Sequence, residues 1–161
     1  MSAIEEVLSK SSIGAIELSS RPSRGLAILT CMDARIDVLR MLGLKPGDAH
    51  VLRNAGGIVT DDVLRSLLLS QRLLKTREVM IIQHTGCGLL GLNDDELKKE
   101  IRAETGVHIP FDLGGFSDVR GAVARSIDRI RTSPLLLHRD VVRGFIYDLE
   151  SGHLSEIETA D

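Results

Sequence analysis

Four short runs, Gly25 to Thr30, Ala49 to Arg53, Glu78 to Gln83 and Val142 to Leu149, have the apolar, β-branched character of strands and are bounded by turn residues. The stretches between them carry apolar residues at helical spacing instead. Strands that alternate with helices predict an α/β fold: a mostly parallel central sheet of about four strands flanked by helices. Two of the runs, at 25–30 and 78–83, are almost continuously apolar, the pattern of strands covered on both faces.

The connecting segments carry their own start and stop signals. Ile36, Leu39 and Leu42 form one helical face, closed by Gly43 and the Lys45, Pro46, Gly47 turn. Thr60 followed by Asp61 and Asp62 opens a helix that runs to about Leu74, with carboxylates at the positive end of its dipole. Its apolar arc, from Val63 and Leu64 through Leu67, Leu68 and Leu69 to Leu73, is wider than one sheet contact needs. Part of it is therefore expected to meet another subunit. Asn93 to Glu96 resembles a capping box opening a helix to about Glu104. A loop over 105–116 leads to a helix from Ser117 to Arg131, and the Glu150 to Gly152 turn can send the chain back as a short edge segment. No repeat or linker divides the sequence, so residues 1–161 are read as one domain, with residues 1–20 a helical arm bearing Ile4, Val7, Leu8, Ile16 and Leu18.

Composition excludes several classes of function. Hydrophobic residues at 43% beside 27% charged residues belong to a soluble globular chain, and no apolar stretch nears the roughly 20 residues that span a bilayer. Met1 to Glu6 lacks the cationic start of a secretory signal, so a cytoplasmic location is expected. Net charge is -3 with both signs interspersed, and aromatics are 2% of residues, so neither a basic face nor a base-stacking platform for nucleic acid is expected.

Both cysteines stand just past apolar runs, in Cys31-Met-Asp33-Ala-Arg35 and in His84-Thr-Gly-Cys87. With two thiolates and one imidazole, a fold that joins these segments makes a three-ligand zinc site of Cys31, His84 and Cys87, with one coordination position left for water. Two thiolates cancel the charge of the ion, so its water is harder to ionise than on three neutral imidazoles and needs help from neighbours. Asp33 can accept a hydrogen bond from that water, and Arg35 can grip the carboxylate and keep it ionised. If the chain stays extended there, alternation points Cys31, Asp33 and Arg35 the same way.

These segments, with Arg53-Asn54-Ala55-Gly56-Gly57 between them, resemble the β-class carbonic anhydrases over about residues 25 to 150, most closely the small archaeal and mycobacterial type. The resemblance implies zinc on Cys31, His84 and Cys87, an Asp33 and Arg35 dyad that gates the fourth ligand, and reversible hydration of carbon dioxide to bicarbonate by zinc-bound hydroxide. It also implies a homodimer or homotetramer. Backbone at Gly56 and Gly57 is expected to approach the substrate, since glycine leaves room there. Position 86 is glycine, where small members commonly have aspartate.

Other readings stay open on the residues alone. Relatives with this ligand set hydrolyse carbonyl sulfide or carbon disulfide, and Asp33 as a permanent fourth ligand would make the site structural, as in a non-catalytic zinc-stabilised interaction protein. Gly86, Gly88 and Gly91 match a dinucleotide-binding glycine pattern, but the next helix begins only near Asn93, so these glycines are read as the bend around the metal. His50, His108, His138 and His153 have no ligand spacing and are read as surface or structural residues.

Overall fold

The computed structural model describes residues 2–11, 14 and 17–158. Helix α1 (Ala3–Lys10) is followed by β1 (Leu26–Cys31), α2 (Val38–Leu42), β2 (Ala49–Asn54), a single 3-10 turn at Ala55–Gly57, α3 (Asp61–Leu74) and β3 (Glu78–His84). Then come α4 (Asp94–Thr105), α5 (Val119–Arg131), β4 (Val142–Tyr147) and β5 (Leu154–Glu156). The sheet has five strands in the order β2-β1-β3-β4-β5, one more than the expected count. Four are parallel, and β5 returns antiparallel to β4, its Leu154 opposite Tyr147. Asp148 makes that return possible: one carboxylate oxygen accepts from the main-chain N–H of Glu150 (3.0 Å) and Ser151 (2.7 Å), closing the turn.

Helix starts follow side-chain chemistry. Thr60 Oγ1 accepts from Val63 N–H (3.3 Å), Asn93 Oδ1 accepts from Asp95 and Glu96 N–H, and Asp118 accepts from Arg120 and Gly121 N–H. Helix α5 therefore begins two residues after the expected Ser117.

Two apolar layers sandwich the sheet. On one face Ala27, Leu29, Val79 and Ile81 pack with Val63 and Leu67 of α3 and Val123, Ile127 and Ile130 of α5. On the other, Ile28 and Ile82 pack with Ile36, Val38 and Phe116, in the same cluster as Cys31 and Cys87. Ile81 and Leu67 are fully buried, and shortening such a side chain to alanine costs about 2–5 kcal/mol. The wide arc on α3 divides accordingly: Val63 and Leu67 are buried, whereas Leu73 stays 68% exposed.

Among the described residues of the N-terminal arm only α1 is helical, and none of that helix's residues is buried; Ile16, expected on the arm's apolar face, lies outside the described residues. His50 is structural, its Nδ1 2.7 Å from Ser70 Oγ and its Nε2 3.0 Å from the Ser20 carbonyl. Among the described residues no helix is long and apolar enough to cross a membrane.

Candidate metal centre

Strand β1 pairs with β2 on one side and with β3 on the other, so chain order reverses at β1. The crevice outside the carboxyl ends of such strands is where α/β sheets bind ligands. The parallel register aligns Thr30 with Ile82, so Cys31 at the end of β1 and His84 at the end of β3 finish side by side. Cys87 follows in the turn beyond β3. The Sγ atoms of Cys31 and Cys87 and a ring nitrogen of His84 all lie within 4.8 Å of one another, and all three residues are buried.

The state of His84 is set locally. Its Nδ1 lies 2.8 Å from the Thr85 carbonyl, which can only accept, so the ring proton sits on Nδ1. Nε2 is left as a bare lone pair, buried and without a hydrogen-bond partner. An unpaired buried acceptor costs about 1–3 kcal/mol. Burial also pushes the Cys87 thiol up. A cation among the three atoms removes both penalties, because it takes the lone pair and holds both sulfurs as thiolates. Two sulfurs and one nitrogen are a donor set that suits zinc, and three protein donors leave a tetrahedral ion one further position.

Asp33 and Arg35 do meet, although not by the expected route. The chain leaves the extended conformation after Cys31 and turns at Ala34 and Arg35, so strand alternation does not aim these side chains. Aspartate instead bonds to the backbone two residues on: Asp33 Oδ1 accepts from Arg35 N–H (2.9 Å), an Asx turn that brings the arginine round. The guanidinium then closes a two-point grip, with Nε 2.9 Å from Oδ1 and Nη2 2.6 Å from Oδ2. These bonds hold the Asp33 carboxyl well below the usual carboxylate range. Arg35 Nη2 also donates to the Gly86 carbonyl (3.1 Å), tying the end of β1 to the turn after β3. Asp33 Oδ2 lies 3.8 Å from His84 Nε2, beside the three candidate ligands.

Gly56 and Gly57 lie in the 3-10 turn after β2, both buried and both at positive φ. Gly57 packs against the backbone at Cys31, so the turn and the candidate ligand share one wall. The side chain of Asn54 spans the turn, accepting from Ile58 N–H (3.0 Å) and donating to the Ile58 carbonyl (2.8 Å).

Further side chains to which the sequence reading assigned no role of their own also shape the centre. Arg53 Nε donates to the Cys31 carbonyl (2.9 Å) and Nη2 to the Asp33 carbonyl (2.7 Å), clamping the backbone on both sides of Met32. Gln83 is fully buried, and its amide nitrogen donates to the carbonyls of Gly56 and Gly57. A glutamine inside an apolar run was the available clue, since a buried amide must find partners. Leu89, Ile58 and Phe116 supply the apolar side chains nearest Gly56.

The glycines at 86, 88 and 91 lead into a turn, and α4 starts only at Asp94, as the non-nucleotide reading requires. The family profile for carbonic anhydrase matches residues 26–108. The chain is 48% identical over 136 residues to the protein named beta-carbonic anhydrase 1 in Mycobacterium tuberculosis, covering 84% of this chain and 83% of that protein. It is 33% identical over 153 residues to a carbon disulfide hydrolase of Acidithiobacillus thiooxidans, covering 82% and 76%. Among solved structures, carbonic anhydrase from Streptococcus mutans superposes with a TM-score of 0.91 at 35% identity, covering 98% of this chain and 99% of that one.

Proposed function

Because this chain belongs to the β-carbonic anhydrase family, we propose that it catalyses the reversible reaction of carbon dioxide with water to give bicarbonate and a proton, at zinc held by Cys31, His84 and Cys87. The observation that carries this reading is the bare, buried His84 Nε2 within reach of two buried thiols, with an ionised carboxylate beside it. When bound, zinc acts as a Lewis acid that makes a water molecule a usable nucleophile near neutral pH.

The remaining work falls to the protein's own groups. Asp33, kept ionised by Arg35, is a pure acceptor at the edge of the ligand cluster. It accepts a hydrogen bond from the attacking water and so turns a lone pair toward the substrate carbon. Arg35 fixes the carboxylate's direction and, through the Gly86 carbonyl, its distance from the turn that carries Cys87. The missing side chains at Gly56 and Gly57 let Leu89 and the Thr30 and Cys31 backbone close on the turn; the main chain of that turn borders the substrate, while Leu89 and Phe116 give an uncharged linear molecule an apolar surface and keep bulk water out. Self-association as a homodimer or homotetramer belongs to the same proposal, supported by the exposed apolar side chains of Ile4, Val7 and Leu73.

Stopped-flow hydration of carbon dioxide by purified protein, paired with metal analysis, tests the reading. One zinc per chain with turnover is expected; protein that carries zinc and gives no hydration at any pH would refute it. A second reading, hydrolysis of carbonyl sulfide or carbon disulfide by the same residues, draws on the similarity to the Acidithiobacillus thiooxidans protein. Release of hydrogen sulfide from those compounds with little carbon dioxide hydration would select it.

A further inference from the structure

Asp94 is the first residue of α4, yet its carboxylate turns away from its own helix to the loop that precedes α5. It accepts three consecutive main-chain N–H groups: Leu113 (2.8 Å) and Gly114 (3.0 Å) on Oδ2, and Gly115 (2.9 Å) on Oδ1. The loop is packed hard onto this anchor, since a side-chain carbon at Gly115 would collide with the Leu92 carbonyl and with Asp94 itself.

The next residue, Phe116, is stitched to the segment that leaves Cys87. Phe116 N–H donates to the Leu89 carbonyl (3.1 Å), and Gly91 N–H donates to the Phe116 carbonyl (2.8 Å). Phe116 is buried in the same cluster as Cys31 and Cys87. A methyl group on Gly56 would overlap Leu89 and stand 3.6 Å from the Phe116 ring. Gly114 in turn lies against Ile58. Phe116, Leu89 and Ile58 therefore form an apolar wall over the glycine turn, built from three loops with only one isolated β-bridge, Leu90 with Phe116, between them. A wall of loops keeps its place only through such anchors.

We propose that Asp94 is a positioning residue for the substrate: it pins Leu113 to Gly115 so that Phe116 and Leu89 hold a fixed apolar surface beside Gly56. The assignment rests on the carbon dioxide reading above. Asp94 touches none of the reacting atoms and acts through the loop. Loss of the anchor weakens capture of a small uncharged substrate, whose binding depends on shape, and leaves Cys31, His84, Cys87, Asp33 and Arg35 in place.

The test compares wild-type holoenzyme with Asp94→Ala and Asp94→Asn in stopped-flow hydration, metal content and amide hydrogen exchange over residues 107–118. In Asp94→Ala, exchange at 113–116 should quicken by about tenfold or more, metal should be retained, and KM for carbon dioxide should rise about tenfold with kcat within about twofold. Asp94→Asn keeps one acceptor oxygen and should fall between, and it carries the test if the alanine variant does not fold. KM is independent of the fraction of chains that fold, so a purely structural role would lower apparent kcat and leave KM at the wild-type value. That result, or unchanged exchange, overturns the proposal. An active wild type with unaltered KM in the variants sinks only the role of Asp94; a wild type without carbon dioxide turnover sinks the substrate reading and this inference with it.

Discussion

Replacing Gly57 by alanine places a methyl carbon 2.6 Å from the Cys31 amide nitrogen and 2.7 Å from the Thr30 carbonyl carbon. Both neighbours are main-chain atoms at the end of β1, so neither can swing aside as a flexible side chain would. The cost has two parts. A side chain at φ +57 costs about 1–2 kcal/mol, and forced overpacking of a close contact about 1–3 kcal/mol more. Gly86→Ala is the internal control: its φ of +64 incurs the first part, and nothing stands within 4 Å of the added carbon to incur the second. Equilibrium unfolding in urea should therefore place Gly57→Ala about 1–3 kcal/mol below Gly86→Ala at equal m-values, out of a total of about 5–15 kcal/mol. The strain falls on the backbone that aims the Cys31 sulfur, and metal–ligand distances tolerate only about 0.2 Å. Gly57→Ala should thus surrender its metal to a competing chelator about ten- to hundredfold more readily than Gly86→Ala. Equal unfolding midpoints and equal metal retention in the two variants would refute the argument that close approach, rather than backbone conformation alone, demands glycine at 57.

Asp33→Ala should nearly abolish carbon dioxide hydration while keeping its metal, as checked by stopped-flow assay and metal analysis; full activity would remove Asp33 from the mechanism. Chelation should lower the thermal midpoint by about 5–16 °C in a scanning calorimeter, since an ion held at about 100 to 1,000 times its Kd contributes about 2.7–4.1 kcal/mol and each kcal/mol is about 2–4 °C in a domain of this size. The N–H groups of Gly115, Gly114 and Leu113, with Lys98 at longer range, hold the Asp94 carboxyl below its ordinary value. A depressed folded-state pKa stabilises above the unfolded value, about 4, and that stabilisation is lost as pH falls through the folded value. The stability gap between wild type and Asp94→Asn should accordingly be full at pH 6 and close below about pH 4; a gap that persists or widens in acid would contradict the assignment.

Strand positions were legible because their apolar runs are short and bounded by turn residues, and β1, β2 and β3 each end one residue beyond the expected limit. Helix α3 was legible to both ends, because Thr60 can do little there except cap. The fifth strand was harder to read: β5 has only three residues, and its pairing depends on the Asp148 turn more than on its own composition. The candidate ligands could be picked out because thiol and imidazole are scarce and sit at strand ends. The roles of Arg53, Gln83 and Asp94 could not, even where the residue stood in a quoted segment, because they act through main-chain carbonyls and N–H groups, which every residue possesses. The union of Asp33 with Arg35 was anticipated for an incorrect geometric reason, since alternation fails once Asp33 bonds to the Arg35 amide.

Cys31 and His84 stand on adjacent strands, yet α2, β2 and α3 all intervene along the chain. No hairpin or excised loop could reproduce that pocket, and a fragment ending before β3 would lack two of the three donors. On the proposed zinc reading, ion capture would consequently be a late event in self-assembly rather than its seed, because the crossover from β1 to β3 has to close first. In a refolding experiment the appearance of a tightly held ion would serve as a clock for completion of the central ladder.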